Sequence, residues 1–265
     1  MSRPLFKTEL KASVKLLILF MCIVTMYGSI ITAMYDPETG AGMNAMAESM
    51  PELFAAFGMA DPGFTLLDFL INYLYGFILL VFPFIFSILM CYRLMAKYID
   101  RGSMAYLLNS HYSRKQIIFT QIGVLLLDLV LLTAYTVVML LLCSHFMFEG
   151  ELEISKFLVV NAGLLVLHVF LAAMCFLFAS LFNEIRYSVG IGAGLGILFF
   201  LIQMLSQVSE DIDFLKYATP LTLFNPEKLA ENDSAALAQI AILGVLAIIF
   251  FIIAVTGFRK RDLPL

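Results

Sequence analysis

Apolar residues in this chain run in blocks of about twenty or more, separated by shorter polar stretches. A helix needs about 20 predominantly apolar residues to cross a bilayer core. The blocks predict six membrane-spanning helices, at about 16–34, 66–92, 117–147, 157–182, 188–208 and 235–258. Ahead of the first block, Lys7, Lys11 and Lys15 recur every fourth residue, and Phe6, Leu10 and Val14 line the adjacent face. This spacing predicts an interfacial amphipathic helix over 4–15, with its ammonium groups at anionic headgroups. The plainer alternative is a charged flank of the first span. Between the second and third blocks, Ile99, Tyr106 and Leu107 stand at roughly helical spacing among polar residues. That pattern predicts a short amphipathic helix over about 95–112, lying near the membrane face. The connection from Asp36 to Thr65 is punctuated by Pro and Gly, with a short helix expected within Ala45 to Met59, broken at Pro51. Pro83 predicts a kink in the second span. The fold class expected is an all-α integral membrane protein: one transmembrane domain over 1–265, with six spans, an N-terminal interfacial helix and a cytoplasmic helix between spans two and three.

Charge gives the orientation. Arg3, Lys7, Lys11, Lys15, Arg93, Lys97, Arg101, Arg114, Lys115, Arg186, Arg259, Lys260 and Arg261 fall on one side, 13 of the 16 Lys/Arg. The other side holds Lys156, Lys216 and Lys228. Cytoplasmic loops carry the excess of Lys and Arg, so both termini are expected in the cytoplasm. Asp36, Glu38, Glu48, Glu52, Asp61, Glu149, Glu151 and Glu153 lie on the opposite, outer side. Composition agrees with a membrane protein: 62% apolar, 14% charged, and a mean hydropathy of +0.97. Soluble domains carry about 25% charged residues. The first span reads as a retained anchor, because its core is long, no small-x-small cleavage site follows it, and further spans come after. With no organelle signal and compact loops, the expected location is the plasma membrane of a bacterium.

Candidate chemistry is sparse. There is no GxxxxGK[ST], HExxH or GxSxG, so neither an ATP-phosphate cradle of that type nor those hydrolytic centres are encoded. His111, His145 and His168 have no metal-ligand spacing, and Cys22, Cys91, Cys143 and Cys175 read as small buried hydrophobes. No catalytic residue and no metal site is expected. Asp128 is the one acid well inside a span, and an ionisable group at that depth marks a functional site by default. It either lines a polar passage, pairs with Lys or Arg near the inner face, or rests close to the inner headgroups. Gln203 and Gln207, towards the outer end of span five, either line an exit path or mark the approach to water. Span five opens with Gly190, Gly192, Gly194 and Gly196. Gly190/Gly194 form a GxxxG pair, which suits a subunit interface or close packing inside one subunit.

The topology, together with Asp100-Arg101-Gly102, Leu107-Leu108, Tyr112-Ser113-Arg114 and the tail Phe258-Arg259-Lys260-Arg261-Asp262-Leu263, resembles the permease subunits of type-2 ABC exporters. Thr219-Pro220 and Phe224-Asn225-Pro226 resemble the outer segment that precedes the last span in that family. The positions that hold Pro and Lys in the family's pattern are His111 and Gln121 here. The resemblance implies a passive subunit, driven through the helix between spans two and three by two copies of a separate ABC ATPase that carry the ATP-Mg. A second permease subunit, most simply an identical one, is implied as well. Asp100, Arg101, Gly102, Leu107, Ser113 and Arg114 then carry the ATPase coupling, and Gly190 and Gly194 the dimer contact. The expected function is outward movement of a hydrophobic or amphipathic peptide, drug or lipid. Membrane lipids are expected partners and nucleic acid is not; no cofactor is expected in this chain. The alternatives are a membrane sensor that signals without transport, and an ATP-independent channel or secondary carrier.

Overall fold

A computed structural model describes residues 2–35, 49–56, 65–109, 112–208 and 210–260. Six helices are long and apolar enough to cross a membrane, and no strand occurs among the described residues. They are α1 (Arg3–Ala33), α2 (Ile78–Cys91, whose span continues to Asp100), α3 (Arg114–Met147), α4 (Ile154–Leu181), α5 (Gly190–Ser206, whose span begins at Ile185) and α6 (Ser234–Lys260). The chain is therefore an all-α, multi-pass membrane protein. Its length is spent on spans, with short helices and 3₁₀ turns between them.

The first span differs from expectation. Residues 4–15 do not form a separate helix: Arg3–Ala33 is one uninterrupted helix of 31 residues. At 1.5 Å per residue it is about 46 Å long, well beyond a hydrocarbon core. The reason is a buried stripe that never breaks. Leu5, Glu9, Ser13, Leu17, Phe20, Val24, Gly28 and Ile31 recur at three- and four-residue steps, and all are buried. Lys7, Lys11 and Lys15 lie exposed on the opposite side. Ser2 caps the helix and its own N–H donates to Thr120 Oγ1 at 2.8 Å, pinning the start of α1 to α3. Farther along, Thr25 Oγ1 and the Tyr135 hydroxyl are hydrogen bonded at 2.7 Å, and Gly28 leaves room for Met139 and Leu140.

The second apolar block is divided. Leu66–Leu70, capped by Thr65 with Asp68, runs into a π-helical turn, Ile71–Tyr75. The chain breaks at Phe77 (φ −134°, ψ −55°) before α2 begins. Leu66, Leu70, Leu74 and Tyr75 are fully buried, so this short helix is a packed wedge. Within α2, Pro83 has no N–H and leaves the Leu79 carbonyl without its helical donor. His168 of α4 supplies the replacement, its Nε2 lying 2.8 Å from that oxygen. Ser87 Oγ donates to the Pro83 carbonyl at 2.9 Å. Proline is tolerated in a membrane helix where neighbouring groups satisfy the freed carbonyl, as they do here.

α4 is the hub: 72% of its apolar stretch is buried, against 17% in α5 and in α6. It packs on α2, α3, α5 and α6. Phe170 stacks on Phe250 and Phe176 meets Phe251 across the α4–α6 contact. Phe20 meets Phe86 and Tyr27 meets Phe82 between α1 and α2. In lipid the outward faces lose nothing by being apolar, so the packing itself, with small residues allowing close approach, holds the spans together.

The connection from Asp36 to Thr65 is described over Ser49–Ala56, where Pro51–Ala56 is helical, and at Thr65; the rest of the expected Ala45 to Met59 helix lies outside the described residues. His111 and the tail from Arg261 lie outside them too.

Candidate functional site

The segment leaving α2 is not one helix over 95–112. A π-helical turn, Tyr92–Ala96, and Lys97–Asp100 prolong α2 without a break, so Ile78–Asp100 is one helical rod. The rod ends at Gly102, whose φ of +67° is left-handed. Glycine meets that conformation without a Cβ penalty. The Gly102 N–H donates to the Ile99 carbonyl at 3.1 Å and closes the helix end. A separate short helix, Met104–Leu108, follows. Ile99 and Met104 are buried, Leu107 and Leu108 are half-buried against the core, and Tyr106 is 82% exposed. The apolar residues thus anchor the arm on its own protein and Tyr106 projects from it.

The six residues expected to couple to a partner all lie at this end of the helices, in different roles. Asp100 Oδ1 accepts from the Ile185 N–H at 3.3 Å, joining the arm to the turn between α4 and α5. Arg101 is exposed. Gly102 sets the bend and Leu107 is partly packed. Ser113 caps α3 reciprocally with Gln116, the serine N–H donating to Gln116 Oε1 at 2.9 Å. Arg114 Nη1 donates to the Arg259 carbonyl at 3.4 Å, tying α3 to the end of α6. The arm is therefore continuous with α2 and hydrogen bonded to the turn before α5, while Arg114 separately ties the start of α3 to the end of α6.

Asp128 lies elsewhere. It is fully buried in α3 and neither carboxylate oxygen has a hydrogen-bond partner among the described residues. The Ser13 hydroxyl lies beside it, and the charge of the Arg93 guanidinium acts on it without forming an ion pair. Glu9, also buried, receives the Tyr98 hydroxyl on Oε1 at 2.5 Å, and Arg93 Nη2 donates to its backbone carbonyl at 3.5 Å. A polar cluster of Glu9, Ser13, Arg93, Tyr98 and Asp128 thus joins α1, the extension of α2, and α3. Gln203 and Gln207 are not part of it. Gln203 Oε1 accepts from Thr222 Oγ1 at 3.4 Å near the far end of α5, and Gln207 is exposed. Sequence reasoning found Asp128 and missed Glu9 and Ser13. The signal was present in the stripe Leu5, Glu9, Ser13, Leu17, which was masked by the lysine face beside it.

The α5 glycines divide into two faces. A Cβ on Gly192 would come within 3.0 Å of the Cys175 backbone, and one on Gly196 would overlap the Phe84 ring. These two are consumed by packing inside the subunit. A Cβ on Gly190 or Gly194 meets nothing within 4 Å. No group of three or more His, Cys, Asp or Glu suited to a metal ion occurs among the described residues.

The chain matches no curated protein. Residues 18–264 match the family described as "Protein of unknown function (DUF2705)", and the chain belongs to that family.

Proposed function

We propose that this protein is the permease subunit of an ATP-driven ABC exporter in a bacterial plasma membrane, with both termini in the cytoplasm. The observation that carries the reading is the arm at Asp100–Leu108. It is a rigid prolongation of α2, bent at Gly102, hydrogen bonded to the α4–α5 turn, and tipped by an exposed tyrosine. A push on such an arm reaches several spans at once. The chain carries no phosphate-binding motif of the GxxxxGK[ST] type, so on this reading ATP-Mg is bound by two copies of a partner ATPase. Two permease copies pair, and the outward glycines Gly190 and Gly194 suit close contact between helices. The cargo is a hydrophobic or amphipathic peptide, drug or lipid, in keeping with the apolar spans.

The test is purification from the native membrane followed by reconstitution in vesicles with any ABC ATPase that co-purifies. Vanadate-sensitive, ATP-dependent movement of an amphipathic probe is the expected result. Ion currents without ATP, or failure of any ATPase to co-purify, would overturn the reading.

A further inference from the structure

Glu9 and Asp128 are the only buried acids among the described residues, and they share one neighbourhood with one cation, Arg93. On the elements that meet here, Lys97 is half-buried one turn beyond Arg93 and Arg114 and Lys115 stand more than three turns before Asp128, but Arg93 is the cation whose charge acts on Asp128. Residues 78–91, 157–181 and 234–258 contain no Asp, Glu, Lys or Arg, and the single His among them, His168, is committed to the Leu79 carbonyl. The remaining titratable neighbour is Tyr98, which serves Glu9. Lys7, Lys11 and Lys15 face away and are exposed. If both acids were ionised, the cluster would hold one uncompensated negative charge away from water. An unpaired buried ion costs several kcal/mol, and a buried group relieves that cost by neutralising.

The two acids are not equivalent. Glu9 accepts a short hydrogen bond from the Tyr98 hydroxyl. Asp128 has no donor on either oxygen. Ser13 beside it already gives its hydroxyl hydrogen to the Leu10 carbonyl at 2.8 Å, which leaves the serine oxygen free to accept. Gln121, two turns earlier on α3, is also fully buried with both amide atoms unpartnered, so the polar seam continues towards the inner end of the helix.

We infer that the junction of α1, the α2 extension and α3 is a proton-binding site, in which Asp128 holds one exchangeable proton. The protonated Asp128 donates towards Ser13 Oγ, and Arg93 balances Glu9. On release of the proton, Asp128 competes with Glu9 for Arg93. Arg93 and Tyr98 stand on the rod that ends at Gly102, so the proton's presence bears on the arm's seating. The inference does not depend on the transport reading, and its test needs no ATPase.

Infrared difference spectra of the purified full-length protein in lipid nanodiscs, recorded across pH, provide the test. The expected result is a carboxylic-acid carbonyl band that titrates with pH and shifts in D₂O. Asp128→Asn abolishes it. Glu9→Gln leaves one acid facing one arginine, so the band's titration moves to lower pH. Arg93→Gln removes the cation and moves it to higher pH. The wild type lacking the band, or the band surviving in Asp128→Asn, overturns the proposal. So does a band whose titration is unmoved by both Glu9→Gln and Arg93→Gln.

Discussion

Pro83 and His168 form a pair that neither position explains alone. The proline removes the donor that the Leu79 carbonyl would have had, and the histidine replaces it from another helix. Leaving a buried acceptor unpaired costs about 1–3 kcal/mol. His168→Leu should destabilise the detergent-purified protein by an amount in that range, read as a lower melting temperature. Adding Pro83→Ala returns an N–H to the helix, so the double variant should recover part of the loss. Strictly additive effects of the two changes would show that the carbonyl is not shared. Gly102 makes a different residue-scale case. A Cβ there meets nothing within 4 Å, so the cost of replacing it is purely conformational. A non-glycine residue in the left-handed region costs roughly 1–2 kcal/mol. Gly102→Asn should therefore be milder than Gly102→Ala, and Gly102→Val the worst, read as successive losses of thermal stability. Equal tolerance of all three would mean that the bend is not held in the protein.

Elements were legible in the sequence to very different degrees. The six spans could be read because a bilayer imposes a minimum apolar length, and each long helix satisfies it. The N-terminal helix was misjudged because its buried face contains Glu9 and Ser13, residue types that a pattern reading assigns to solvent. The helix over 95–112 was misjudged because periodicity is blind to a single glycine with positive φ. Asp128 could be found as an acid among apolar neighbours. Its companions could not, since they arrive from α1 and from the α2 extension through tertiary packing. The glycine-rich start of α5 was readable as a packing face. Which pair packs inside the subunit needed the coordinates: Gly192 and Gly196 are occupied, whereas Gly190 and Gly194 are open. A clean contrast follows. Gly192→Leu or Gly196→Leu should unfold or strongly destabilise the protein. Gly190→Leu with Gly194→Leu should leave the melting temperature near the wild type's and lower the dimer fraction measured by light scattering in detergent. An unchanged dimer fraction would exclude this face as the subunit contact.

At the scale of the whole molecule, the charges and the packing share one asymmetry. Exposed lysines of α1, the arm, and the ends of α3 and α6 gather at one end, where Asp100, Ser113 and Arg114 connect neighbouring helices. Most of that end's apolar residues are committed to the protein's own core, which makes Tyr106 stand out: it is 82% exposed on a helix anchored by Met104, Leu107 and Leu108. An exposed aromatic on a rigid support is the kind of residue that dominates a docking surface, and removing such an anchor typically costs 2 kcal/mol or more of binding, about thirtyfold in affinity. Tyr106→Ala should therefore leave the purified subunit's melting temperature unchanged, because the ring supports nothing in the fold. On the proposed permease reading, the same variant should lose an ATPase that co-purifies with the wild type, and ATP-driven movement of cargo in vesicles should fall with it. Asp100→Asn would serve as the comparison, since it loosens the link to Ile185 while leaving the exposed ring in place: ATPase binding should persist and transport per bound ATPase should drop. If Tyr106→Ala retained its ATPase in full, force would have to enter the molecule somewhere other than this arm.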